Sequence, residues 1–166
     1  MDDASFPRRE VLRLGAAGAV AGFMKPAGAS GLAAEYDRYD ALGLAELVAR
    51  KEITPLELLH AVRQRVESLQ PRLNCFSALF FDKAEAQIEA GLPDGPFRGV
   101  PFALKDISHQ LRGTATTNGS RLFRDNIPDF DSTLVERYKK AGLVLFGKTT
   151  SPELGLSPST ESVLFG

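Results

Sequence analysis

The sequence predicts an α/β fold, and three observations carry that expectation. Val100 to Leu104 (VPFAL) is an uncharged run of five residues, and Leu143 to Phe146 (LVLF) is a second apolar run. A helix-patterned segment from Thr133 to Ala141, closed by Gly142, leads straight into the second run. Short apolar runs bounded by turn signals read as buried strands. Helix, glycine, buried strand is half of a parallel α/β unit.

Composition narrows the function classes. With 166 residues the chain makes one domain or part of one. Its hydrophobic content of 43% is that of an ordinary globular domain. Twenty basic residues balance 21 acidic ones, so there is no electrostatic footprint for nucleic acid and no nucleic-acid partner is expected. Cys75 is the only cysteine, which excludes an intrachain disulfide. No Cys/His cluster has metal-ligand spacing, so neither a metal nor a cofactor is expected.

Taken in order, residues 1–34 read as an export signal rather than as fold. Arg8 and Arg9 are adjacent and precede the uncharged run LGAAGAVAGFM from Leu14 to Met24. That is the twin-arginine pattern, and Ala27-Gly28-Ala29 supplies an A-x-A cleavage pattern. Eleven residues are too few for a bilayer core, which needs about 20. No stable membrane anchor is expected, and the destination is the periplasm. An amphipathic first helix is the alternative, but no polar face interrupts the run. The folded domain is expected over residues 35–166.

Asp40 to Glu52 has helical spacing, with Asp40 as N-cap. Thr54-Pro55-Leu56-Glu57 restarts a helix: threonine caps, proline takes the first helical position and Glu57 completes a capping box. Leu58, Leu59, Val62, Val66 and Leu69 form its buried stripe, and Pro71 is expected to end it. Leu73 to Phe81 reads as a strand. Asp82 to Gly91 reads as a helix capped by Asp82 and stopped by Gly91. Residues 92–98 (LPDGPFR) form a turn-rich link. After the strand at 100–104 comes a loop, Gly113 to Ser120, rich in glycine and hydroxyls. Asp131 or Ser132 caps the helix from Thr133, with Leu134, Val135 and Tyr138 pointing inward. Leu143 to Phe146 is buried on both faces, and Gly147 and Lys148 end it.

The chemistry is expected at Lys105, where the first buried strand gives way to the loop. Burial beside apolar surface disfavours the charged form of a lysine, and a neutral lysine acts as a general base. The loop at 113–120 brings backbone N–H groups and hydroxyls close to that strand end, where functional residues commonly sit on a rigid scaffold. Asp106 alternates away from Lys105 and is expected to bond loop backbone groups or a helix N-terminus. Cys75 and His60 read as a packed small side chain and a solvated helix residue.

Four blocks then occur in order: GVPFALKD (99–106), GTATTNGS (113–120), AGLVLFGKT (141–149) and SVLFG (162–166). Together they resemble the N-terminal part of the amidase signature family, over about residues 40–166. The resemblance implies the N-terminal part of that family's fold, a mixed sheet flanked by helices, incomplete in these residues. It implies hydrolysis of carboxylic amide C–N bonds by a serine nucleophile, a second serine in a cis peptide and a lysine base that Lys105 matches. The family's Gly/Ser-rich loop with both serines follows the position of Gly166, so the chain is expected to be an N-terminal piece, inactive alone. The stretch after G-K-T reaches the substrate pocket in the family, which makes Leu156 and Ser157 the expected substrate-binding positions. Thr150 stands where members often have Asn, a departure at that corner. The implied partner is a small-molecule amide, with its class and the oligomeric state left open. Two alternatives stand beside this reading: a non-catalytic α/β binding or scaffold module, and a transamidase subunit that makes glutaminyl-tRNA.

Overall fold

The computed structural model describes residues 38–166. The expected export signal at residues 1–34 lies outside the described residues. The fold is α/β: four α-helices and a three-stranded mixed sheet, among the described residues. In chain order these are α1 (Ala41–Ala49), α2 (Pro55–Leu73), β1 (Phe76–Leu79), α3 (Phe81–Glu89), β2 (Pro101–Lys105), α4 (Thr133–Lys140) and β3 (Val144–Thr149).

Local sequence explains the helix starts. The Asp40 carboxylate accepts the Gly43 N–H at 2.8 Å at the head of α1. At α2 the capping box is complete: the Thr54 hydroxyl accepts the Glu57 N–H at 3.2 Å, and Glu57 accepts the Thr54 N–H at 2.8 Å. Both devices satisfy N–H groups that a first helical turn leaves without partners.

Several boundaries differ from expectation. Helix α2 runs through Pro71 to Leu73. Proline removes only one backbone donor, and the exit is held by other groups. The Asn74 N–H bonds the Gln70 carbonyl at 2.8 Å, and the Gln70 side chain accepts the N–H groups of Cys75 and Phe76, each at 3.1 Å. Asp82 is not a cap: α3 begins at Phe81, so Asp82 lies in its first turn. There its charge still suits the positive end of the helix. Neither Asp131 nor Ser132 caps α4 through its side chain. Ser132 is the N-cap residue without a side-chain bond, while the Asp131 carboxylate holds the Arg112 N–H at 2.8 Å and the Lys139 amine at 2.5 Å. Leu134 is 43% exposed, whereas Val135 is fully buried.

The sheet order is β1-β3-β2, with β1 antiparallel and β2 parallel to the central β3. Strand β3 is covered on both faces, as its unbroken apolar run predicts. Leu145 packs with Leu44, Leu58, Val100, Leu104 and Val135. Val144 and Phe146 pack with Leu59, Val62, Val66, Phe81 and Ala84. Burying each Val, Leu or Phe side chain among these contributes about 2 kcal/mol. The Phe81 ring stacks on Phe146 with centroids 5.3 Å apart, and the Arg63 guanidinium lies 4.8 Å above Phe81. Gly142 turns α4 into β3 at φ +87°; a Cβ there would lie 2.6 Å from the Arg98 Cα. This connection sets β3 parallel to β2 and brings both carboxyl ends to one side of the sheet.

Candidate functional site

Ligand sites in α/β sheets favour the carboxyl ends of parallel strands. Here those ends are Lys105 on β2 and Lys148-Thr149 on β3, with Lys105 beside Thr149 and Leu104 beside Lys148 in the register. The loop at 113–120 closes over them. Both Asp106 oxygens are taken by Thr117: Oδ1 accepts its N–H at 2.9 Å and Oδ2 its hydroxyl at 2.5 Å. Asp106 is 1% exposed, and its expected bonding to the loop is what the structure shows. The Asn118 side chain accepts the Ser108 N–H at 3.2 Å. The Ser120 hydroxyl donates to Glu153 at 2.6 Å, and the Ser162 hydroxyl to the Gly119 carbonyl at 2.8 Å. Gly119 is required at its turn: φ is +66°, and a Cβ there would collide with the Ser151 carbonyl. A cavity of about 280 Å³ opens beside this network, with Ser77, Asp106, Ala115, Thr117, Arg124 and Phe165 among its lining residues.

The two lysines behave oppositely. The Lys105 side chain is exposed, which overturns the expectation of a buried amine there. It is the last residue of β2, which is an edge strand among the described residues. The buried amine belongs to Lys148, with 0% exposure. It donates to the Ala115 carbonyl and the Thr116 hydroxyl, both at 2.6 Å. Burial pushes it down to about 8, against the pull of the Asp106 carboxylate. From its sequence Lys148 is expected only to end the strand, whereas β3 continues to Thr149 and Lys148 lies inside it. The sequence does carry a signal: a lysine two residues beyond a central apolar run lies too deep to reach water easily.

Leu156 and Ser157 are both exposed, Leu156 by 83%. They follow the short 3-10 turn Glu153–Gly155. Among the described residues, Ser157 Oγ bonds only Ser159, at 3.4 Å to its hydroxyl and 3.3 Å to its N–H. Neither residue lines the cavity beside Asp106, and no hydrogen bond ties either to Lys105 among the described residues.

The family described as Amidase matches residues 57–166, which include the whole of this site. The chain belongs to the amidase signature family. Among its relatives, it is 37% identical over 129 residues to the 6-aminohexanoate-cyclic-dimer hydrolase of Paenarthrobacter ureafaciens, covering 76% of this chain and 26% of that protein. It is 34% identical over 129 residues to a Glutamyl-tRNA(Gln) amidotransferase subunit of Syntrophobacter fumaroxidans, covering 74% of this chain and 26% of that protein. Among solved structures, a 6-aminohexanoate cyclic dimer hydrolase superposes with TM-score 0.72 at 36% identity, over 77% of this chain and 26% of that one. The chain thus spans about a quarter of the length of these relatives. The family match covers Lys105, Asp106, Thr116, Thr117 and Lys148 alike.

Proposed function

We propose that this chain carries the base-bearing part of an enzyme that hydrolyses carboxylic amide C–N bonds, with Lys105 as the base. The observation that carries the reading is the position of Lys105: the carboxyl end of a parallel strand, inside the family-matched segment, next to a loop rich in hydroxyls. The relatives include a cyclic-dimer hydrolase and a lipoamidase, which supports an amide as substrate. In this reading both serines come from residues beyond these 166. The nucleophilic serine attacks the carbonyl carbon, and its proton passes through the bridging serine to the Lys105 amine. The C–N bond breaks as that proton is delivered to the leaving nitrogen. Water then attacks the acyl-serine, giving the acid and restoring the hydroxyl. The exposure of Lys105 requires that its desolvation come from those further residues or from substrate. Leu156 and Ser157 contact substrate in the complete site.

The test is Lys105→Ala in the complete protein, assayed on aliphatic, aryl and cyclic amides. Loss of a general base predicts a fall of about 10²–10⁴ in kcat, and an unchanged rate rejects the assignment. A second reading, as part of a transamidase, is favoured by the 34% identity to the amidotransferase relative. Hydrolysis of simple amides by the purified complete protein alone favours the hydrolase, and activity only with added partner proteins favours the transamidase. The residue pattern of 1–34 is read separately as a twin-arginine signal that sends the protein to the periplasm. Replacing Arg8 and Arg9 by lysine then retains it in the cytoplasm, and unaltered fractionation rejects export.

A further inference from the structure

We infer that Lys148 is a positioning residue, which fixes the loop at 114–117 and through it the strand end that presents Lys105. The inference rests on the amide-hydrolase reading only for its catalytic consequence. Its structural part stands on a short chain of contacts. Lys148, fully buried on β3, donates to the Ala115 carbonyl and the Thr116 hydroxyl, each at 2.6 Å. The next residue, Thr117, gives its N–H and its hydroxyl to Asp106, at 2.9 and 2.5 Å. Asp106 directly follows Lys105, and its own N–H bonds the Thr149 carbonyl at 2.9 Å, next to Lys148. The contacts close a ring: Lys148, Thr116, Thr117, Asp106, Thr149 and back to Lys148.

A positive group from β3 and a negative group from the end of β2 therefore grip adjacent residues of one loop. The Thr116 N–H also bonds the Asn126 carbonyl and the Thr116 carbonyl accepts the Asn126 side chain, each at 3.0 Å, so the two charged grips act beside a neutral one. Lys105 has no side-chain partner among the described residues, so the backbone is what aims it. A group aimed only by its backbone depends on whatever holds that backbone. Misplacement by about 1 Å costs on the order of 100-fold in rate. Hydrogen bonds to charged groups are also stronger than neutral ones, and the low local dielectric around Lys148 strengthens them further.

The experiment uses the complete protein with two substitutions, Lys148→Met and Thr116→Val, and Thr116→Ser as the conservative rescue. Thr116→Val keeps the side-chain shape and removes the acceptor, so it stays informative should Lys148→Met fail to fold. Two readouts are taken: hydrogen exchange of the Thr116 and Thr117 amides, and kcat and KM for amide hydrolysis. The expected result is at least tenfold faster exchange at both amides in the Met and Val variants. Their kcat falls about tenfold to 100-fold, KM moves less than threefold, and Thr116→Ser stays near wild type on both counts. Unchanged exchange overturns the inference, and so does loosened exchange with kcat within twofold of wild type. If the wild type hydrolyses no amide, the hydrolase reading fails by itself while exchange still decides the grip.

Discussion

Two lysines lie at the carboxyl ends of neighbouring strands and meet opposite fates. Lys105 closes β2 at the sheet edge, exposed and without a side-chain partner among the described residues. Lys148 sits one residue before the end of β3, between two strands, and has no exposed surface. Sheet position separates them more than sequence context does, since each follows apolar residues. A lysine on a central strand must find partners inside, because burying an ammonium without them is prohibitive. Lys148 finds a carbonyl, a hydroxyl and the nearby Asp106 carboxylate. A lysine at an edge-strand terminus meets no such demand and remains available to a ligand.

The largest way to sharpen this contrast is pH. Burial lowers the Lys148 amine from 10.5 to about 8. Below pH 8 the folded and unfolded states both hold the proton, and the cost of the buried charge is fully present. Between about 8 and 10.5 the unfolded chain still binds the proton while the folded one has released it, so stability rises with pH. The gain is about 3 kcal/mol across that window. Urea titrations of wild type and Lys148→Met in parallel isolate it, because the other titrating groups are shared. Near pH 7 the pair should differ by no more than about 1 kcal/mol. The variant loses two hydrogen bonds of about 1.5–3 kcal/mol each but sheds the buried charge. By pH 10.5 wild type should lead by roughly 3 kcal/mol more, on the same linkage. A difference that stays flat with pH rejects the buried-cation account.

The second effect concerns Asp106. Asp106→Asn preserves size and can still accept the Thr117 N–H, but it removes the charge facing Lys148. The expected loss is about 2 kcal/mol at pH 7, the scale of a hydrogen bond to a charged group. With that attraction gone, the Lys148 transition should also begin at lower pH. Denaturation midpoints across pH 6–10 read both, and an unmoved transition would separate the two residues electrostatically.

How much of this was readable in advance follows the same line between local and distant causes. The Thr54 capping box, the turn at Gly142 and the two-sided burial of 143–146 depend on residues close in the chain, and all were legible. So was the turn of Asp106 toward the loop, since alternation along a strand is local. The depth of Lys148 was not, because a strand read from its apolar run stops at the first charged residue. Its partners Ala115 and Thr116 lie more than 30 positions away. The exposure of Lys105 was missed for the complementary reason: an apolar run predicts a buried strand but not which strand occupies the edge. Pro71 misled because its usual effect was weighed without the Gln70 side chain that holds the helix exit.

The smallest predicted effect tests the contrast most directly. Lys105→Met makes the same substitution as Lys148→Met on the neighbouring strand. The Lys105 side chain holds no bond among the described residues, and exposed substitutions of this kind stay within about 0.5 kcal/mol. At pH 7 its unfolding midpoint should stay within that margin of wild type, while the Lys148→Met curve separates from wild type as pH rises and the buried amine loses its proton. A loss well above that margin would mean that this side chain is also enclosed in the folded protein, against its exposure here. The edge-against-centre explanation would then fail, and the general-base assignment would regain the burial that these residues do not give it.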